Sequence, residues 1–243
     1  RSLAIVEAAL GPDHPTVATS LNNLAQLYDA QGRYAEAERL YERSLAIVEA
    51  ALGPDHPTVA TRLNNLAQLY DAQGRYAEAE RLYECSLAIV EAALGPDHPA
   101  VATSLNNLAQ LYDGQGRYAE AEPLYERSLA IVEAALGPDH PTVAASLTNR
   151  AVHYYAQGRW AEAEPLFERA LAIREAALGR DHPGFGRSLW GLAVLRRSQG
   201  EHDEAEKLFA RALVVLERAL GESHPDVVEL VAQWEEYKQQ LGQ

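Results

Sequence analysis

One interval constrains this chain more than anything else in it. Gly11, Gly53, Gly95, Gly137, Gly179 and Gly221 are evenly spaced, and 53 − 11 gives a period of 42 residues. Gly32, Gly74, Gly116, Gly158, Gly200 and Gly242 keep the same step. So does a His-Pro pair at His14, His56, His98, His140, His182 and His224. A fixed period of roughly 20–50 residues means a solenoid, a propeller or an array built from one supersecondary unit.

Within the unit the apolar spacing is helical. Val17, Leu21, Leu24, Ala25 and Tyr28 form one stripe of a helix A. Tyr34, Ala37, Tyr41, Leu45, Val48 and Leu52 form a stripe of a helix B, and Leu40, Ile47 and Ala51 widen it. A helix apolar over so broad an arc must be covered from two sides. Helix B is therefore expected to pack on its own partner and on helix A of the next copy. No run alternates apolar with polar residues, which argues against a propeller.

The punctuation agrees. Pro15 suits the first turn of a helix, and Asp13 or His14 can cap it. Gly32 and Gly53 are read as left-handed ends of helices A and B. Only Gly32-Arg33 separates the two helices, which makes them antiparallel.

Leu21, Leu24-Ala25, Tyr28, Gly32, Tyr34, Ala37, Tyr41 and Ser44 fall at the spacing of the tetratricopeptide repeat (TPR) signature. The wording of the unit and its 42-residue length resemble the kinesin-light-chain and nephrocystin class, across essentially the whole chain. The resemblance implies an all-α, right-handed superhelix whose helices A line a concave groove that holds a protein or peptide.

The 243 residues are read as a single array. Residues 1–10 are the tail of a helix B, and Arg1-Ser2-Leu3 repeats Arg43-Ser44-Leu45. The chain is thus expected to be a piece of a longer protein, and a cytoplasmic setting is expected. Copies 11–52, 53–94, 95–136, 137–178 and 179–220 follow, and 221–243 form a last helix A that caps the stack. This reading counts eleven helices. Pro123 and Pro165 stand early in their helices B, where a local adjustment rather than a break is expected. Glu235 replaces the small Ala25-type residue, as a solvated cap would. Leu3, Val6 and Leu10 lack a preceding helix A, so self-association through residues 1–10 is expected.

Charge narrows the partners. A formal net charge of −14 opposes binding to a nucleic-acid backbone or an anionic membrane, both of which need clustered Lys and Arg. No apolar run approaches the roughly 20 residues of a membrane span. Cys85, the one cysteine, stands where Arg43 and Arg127 stand in other copies and reads as neutral drift. The six periodic histidines do not suggest a metal. Copies are displaced by about 8–10 Å or more, whereas zinc needs its ligands at about 2.0–2.3 Å from one point. The paired glutamates Glu36/Glu38, Glu78/Glu80, Glu120/Glu122 and Glu162/Glu164 do not share a helix face and read as solvated surface. Nothing suggests catalysis or a cofactor.

The informative columns lie on helix A. In the pattern it resembles, the groove is lined here by Asn22, Asn23, Gln26 and Asp29, by Asn64, Asn65, Gln68 and Asp71, by Asn106, Asn107, Gln110 and Asp113, and by Asn149. Thr19, Thr61 and Thr103 adjoin them. Each amide offers a donor and an acceptor to a peptide backbone, and the aspartates add negative charge. In the fourth copy Arg150 takes the buried Leu24 position. In the fifth, Arg187, Trp190 and Arg197 read as a separate basic and aromatic patch. The favoured function is a peptide-binding scaffold. The alternative is a structural spacer or self-assembling array with an empty groove.

Overall fold

The computed structural model describes residues 2–241; Arg1, Gly242 and Gln243 lie outside the described residues. The described residues form twelve helices: α1 (Ser2–Leu10), α2 (Pro15–Ala30), α3 (Tyr34–Leu52), α4 (Pro57–Ala72), α5 (Tyr76–Leu94), α6 (Pro99–Gly114), α7 (Tyr118–Leu136), α8 (Pro141–Ala156), α9 (Trp160–Leu178), α10 (Pro183–Ser198), α11 (His202–Leu220) and α12 (Pro225–Leu241). The count is one above the expected eleven, because the helix B tail at Ser2–Leu10 adds to five helix pairs and the last helix A. No strand occurs among the described residues. Pro123 and Pro165 sit inside uninterrupted helices of 19 residues, as long as α3 and α5.

Both helix ends are set by local chemistry. The Nδ1 of His14 accepts from the Thr16 amide at 3.2 Å, and His56, His98, His140, His182 and His224 repeat that cap. Gly32 turns left-handed at φ 73°; its amide bonds the Asp29 carbonyl while the Arg33 amide bonds that of Tyr28. This is a Schellman end. Gly53 differs from expectation. Its φ of 87° comes with ψ of 157°, an extended conformation open to glycine alone rather than a left-handed helical one.

The chain divides into two compact units, residues 1–131 and 132–243. In the first, Ala25, Ala37, Ala67, Ala79, Ala109 and Ala121 are fully buried. They let A and B helices approach closely, while Tyr41, Tyr83, Tyr125 and the leucines around them fill the gaps. Ser44, Ser86 and Ser128 donate to the carbonyls of Ala18, Ala60 and Ala102 at 2.7–2.9 Å, pinning each helix B to its own helix A. As expected, α3 also packs on α4, and α5 on α6. Leu3 and Val6 are half-buried against the cluster around Val17 and Leu21, whereas Ile5 and Leu10 are exposed. In the second unit, α8 to α12 bury Phe167, Phe185, Leu189, Phe209 and Leu216. Glu235 is exposed there, as a solvated cap requires.

Polar staples cross the seams between copies, and they give the paired glutamates a structural use the sequence reading missed. Arg75 lies over the Tyr70 ring at 3.8 Å, pairs with Glu78 of its own copy and reaches Glu38 of the preceding one at 2.8 Å. Arg117 repeats this with Tyr112, Glu120 and Glu80. Burial, then the bond to Glu80, pushes the Tyr112 phenol up to about 12. On the helix B side, Arg43 bonds the Pro12 carbonyl and pairs with Glu7. Arg127 does the same with Pro96 and Glu91. Cys85 occupies the same column, is exposed, and cannot make that bridge.

Two outcomes follow. Gly74→Ala places its new methyl in open space, so only the left-handed backbone at φ 73° is strained. Chemical denaturation should show a loss of about 1–2 kcal/mol with unchanged helicity. Cys85→Arg restores the missing bridge and should raise stability by up to about 1 kcal/mol, an increment that shrinks with salt.

Candidate functional site

Helix A carries the Asn-Asn pairs on the turns that face the neighbouring copy. Asn22 is buried. The Asn65 amide donates to its Oδ1 at 2.9 Å, and the Asn107 amide donates to Asn64 at 2.8 Å. The second asparagine of one copy thus reaches back to the first asparagine of the copy before, since 65 − 22 and 107 − 64 both give 43. The rungs hold copies together. Each leaves the outer residue, Asn65 or Asn107, half-buried with its own carbonyl oxygen unspent in the rung. Asn23 is exposed, and Asn106 and Asn149 are half-buried with polar partners of their own.

Two turns along helix A the aspartates form a second row. Asp29, Asp71 and Asp113 are half-buried, and Asp113 accepts from the Tyr125 hydroxyl at 3.0 Å. Burial holds the Asp29 and Asp71 carboxyls above the ordinary aspartate value. It also pushes the Tyr41 phenol up to about 12, with the Asp29 charge adding to the effect. The same two causes raise Tyr83 beside Asp71 and Tyr125 beside Asp113. Gln26, Gln68 and Gln110 stand exposed between the two rows.

The divergent fifth copy departs from its sequence reading. Arg187, Trp190 and Arg197 do lie on one helix, α10, but all three engage α12. Arg187 Nε pairs with Asp226 at 2.6 Å, and Trp190 Nε1 donates to Gln233 at 3.1 Å. The Arg197 guanidinium lies 5.9 Å from the Tyr237 ring centre. Trp190 and Gln233 are again 43 apart, so this bond is the asparagine rung with the donor on the other side. Arg150, in its leucine column, is half-buried and donates to the Tyr154 hydroxyl at 2.9 Å.

One charged residue was missed by reading helix A alone. Arg174, on α9, occupies the Val48 and Val90 column, where 174 − 90 = 84 is two periods. It is half-buried and bonds the hydroxyls of Thr148 and Ser188. Its place in the 42-residue grid was the available signal. Among the described residues, no three His, Cys, Asp or Glu side chains gather as a metal site would require. No helix of the described residues is long and apolar enough to cross a membrane.

Comparison with known proteins fits this geometry. The tetratricopeptide repeat family profile matches residues 1–50, 30–92, 72–134, 114–176 and 142–218. The chain belongs to the tetratricopeptide repeat family. Among solved TPR structures, a kinesin-light-chain-type protein of nearly identical TPR-like repeats from Podosopora anserina is 32% identical, with a TM-score of 0.68. The similarity covers 84% of this chain and 97% of that one. BtubC (BKLC) from P. vanneervenii is 26% identical, with a TM-score of 0.74 over 92% of this chain and 89% of that protein. Nephrocystin-3 of Homo sapiens and of Xenopus laevis is 51% identical over 43 residues, 18% of this chain and 3% of nephrocystin-3. TPR arrays generally mediate protein–protein interaction.

The rungs make a measurable claim about this TPR array. Asn64→Ala and Asn107→Ala should each destabilise it, and a double-mutant cycle should show coupling of about 0.5–1.5 kcal/mol. An equivalent cycle between exposed Gln68 and Gln110 should show none.

Proposed function

We propose that the chain is a protein-binding scaffold whose helix A face, over the first three copies, takes an extended basic segment of a partner. The observation that carries this is the row of Asp29, Asp71 and Asp113, repeated once per copy, each beside the phenol of a helix B tyrosine. The arginines at the turns of the same copies are already spent. Arg75 and Arg117 pair with glutamates along the turn edge, so they do not neutralise the row. The carbonyl oxygens left over in the Asn22/Asn65 and Asn64/Asn107 rungs can accept from a peptide backbone passing along the stack. Partly screened charges discriminate modestly one by one, so selectivity accumulates over copies and weakens with salt.

A second reading is favoured by the rungs themselves. Asparagines bonded to one another, and Arg187, Trp190 and Arg197 engaged by α12, suit a spacer that holds other segments apart. In that reading the exposed Ile5 and Leu10 of α1 are the side chains through which copies of the chain would associate.

Binding of peptides of graded charge separates the two. Lysine-rich peptides should bind more tightly than glutamate-rich ones, and the preference should fall at least about tenfold in Asp29→Asn, Asp71→Asn, Asp113→Asn. The pH dependence has a definite sign. Burial raises the Asp29 and Asp71 carboxyls, so on acidification they take up protons before an ordinary aspartate does. The basic preference should therefore begin to fade above the usual carboxylate range. Equal binding of both peptide classes, or an unaltered preference in the triple variant, overturns the proposal.

A further inference from the structure

Between the second and third copies a cavity of about 180 Å³ opens beside the rungs, lined by Thr61, Asn64, Ser86, Val90, Thr103 and Ser104. Its polar atoms are mostly acceptors. Ser86 donates its hydrogen to the Ala60 carbonyl at 2.9 Å, Thr61 to Pro57 at 3.3 Å and Ser104 to Ala100 at 3.5 Å. These hydroxyls therefore turn lone pairs toward the cavity, and the Asn64 Oδ1, engaged by Asn107, keeps a second lone pair. The Asn64 Nδ2 adds donors to the wall, but a group that donates in several directions suits the four acceptors.

The protein supplies its own example of such a group. Two periods along, the equivalent crevice between α8, α9 and α10 is occupied by Arg174, which stands in the Val90 column. Its Nη1 donates to Thr148 Oγ1 at 3.0 Å, and Thr148 is in the Asn64 column (148 − 64 = 84). The same nitrogen donates to Ser188 Oγ, in the Ser104 column (188 − 104 = 84). Thr148, like the hydroxyls of the open crevice, spends its own hydrogen on a backbone carbonyl, that of Ala144 at 2.7 Å. The first and second copies repeat the theme from the other wall. Arg62 stands in the Ser104 column (104 − 62 = 42) and is half-buried. Its Nε is buried without a hydrogen-bond partner, so only Arg174 shows how a guanidinium is held in this column grid. In the second-to-third crevice, Val90 and Ser104 leave the space open.

We infer that this crevice is a pocket for an arginine side chain of the bound partner, its guanidinium taking the place that Arg174 takes in the second unit. The inference rests on the helix A face being the binding face, and it adds one specific anchor to it. A planar guanidinium reaches the Asn64 oxygen and the Ser104 hydroxyl together, as Arg174 reaches Thr148 and Ser188. Arg174 meets both hydroxyls with one nitrogen, so the preference over lysine comes from hydration: a guanidinium is more weakly hydrated than an ammonium and gives up less water on entering the crevice. The Asp29, Asp71 and Asp113 row selects for positive charge in general. The crevice selects arginine among cations, at one register of the peptide.

The test uses three otherwise identical lysine-rich peptides carrying Arg, Lys or norleucine at one central position. Binding is measured to the intact chain and to two variants that fill the crevice as the protein itself does, Val90→Arg and Ser104→Arg. The arginine peptide should bind about tenfold more tightly than the lysine peptide, and more tightly still than the norleucine one. Both variants should abolish the arginine preference while the Asp-dependent preference for lysine-rich over glutamate-rich peptides persists. Circular dichroism identifies a variant that fails to fold, and the other variant then decides. Equal binding of arginine and norleucine peptides to the native chain, or an arginine preference surviving in a folded variant, overturns the pocket and leaves the acidic face standing. Should no lysine-rich peptide bind, the acidic face fails, and N-acetyl-arginine methylamide decides the pocket alone. Chemical-shift changes at Asn64 and Ser104, absent in Val90→Arg, would uphold it, and no change would overturn it.

Discussion

The structure depends on one constraint: a single helix pair cannot cover its own apolar surface. Tyr41 and Val48 belong to one helix, yet they sit in two different clusters, one against Ala25 and Ala67, the other against Val17 and Val59. A helix with apolar residues over that much of its circumference needs a neighbour on each side. The seam between copies is therefore where an array of this kind is held or lost. The burial there is reinforced at three heights, by arginine bridges on the helix B side, by arginine–tyrosine–glutamate staples at the turns, and by asparagine rungs on the helix A side.

These staples change together where the copies diverge. The fifth copy has Arg196 in the tyrosine column and Glu201 in the arginine column. Charge and position are exchanged, but the connection is kept. Arg196 pairs with Glu201 at 3.0 Å and reaches Glu164 of the preceding copy at 2.6 Å, the glutamate that Arg75 and Arg117 engage in theirs. Trp190 and Gln233 keep the asparagine rung with a new donor. The seam thus tolerates new residues so long as a donor meets an acceptor across it. Cys85 breaks this pattern and leaves one bridge unmade.

The same seam also shapes the face proposed for binding. Rungs and staples absorb most of the polar groups that a sequence reading would assign to a ligand. What remains is a row of half-buried carboxyls, a line of exposed glutamines, and a crevice rich in acceptors. Asn22 could be placed on helix A by counting, but its burial could not, because that depends on Asn65 of the next copy lying within hydrogen-bonding distance. Arg187, Trp190 and Arg197 were legible as clustered on one helix. That α12 would take up all three was not, because Asp226, Gln233 and Tyr237 come together with them only through packing.

The sequence by itself determined the repeat, the helical class, the start and end of almost every helix, and the family. Each of these follows from short-range rules: a 3.6-residue apolar spacing, a proline in the first turn, a histidine before it, a glycine where φ must be positive. Only the tertiary structure decided which side chains of adjacent copies meet. Contacts 36, 37 or 43 residues apart depend on how one helix pair is rotated and shifted against the next. That geometry is set by the sizes of Ala, Leu and Tyr at the seam acting together, and no local pattern encodes it. For the same reason Val90, Arg174 and Ser104 look like unrelated substitutions along the chain, and become the walls and the occupant of one crevice only once the copies are stacked.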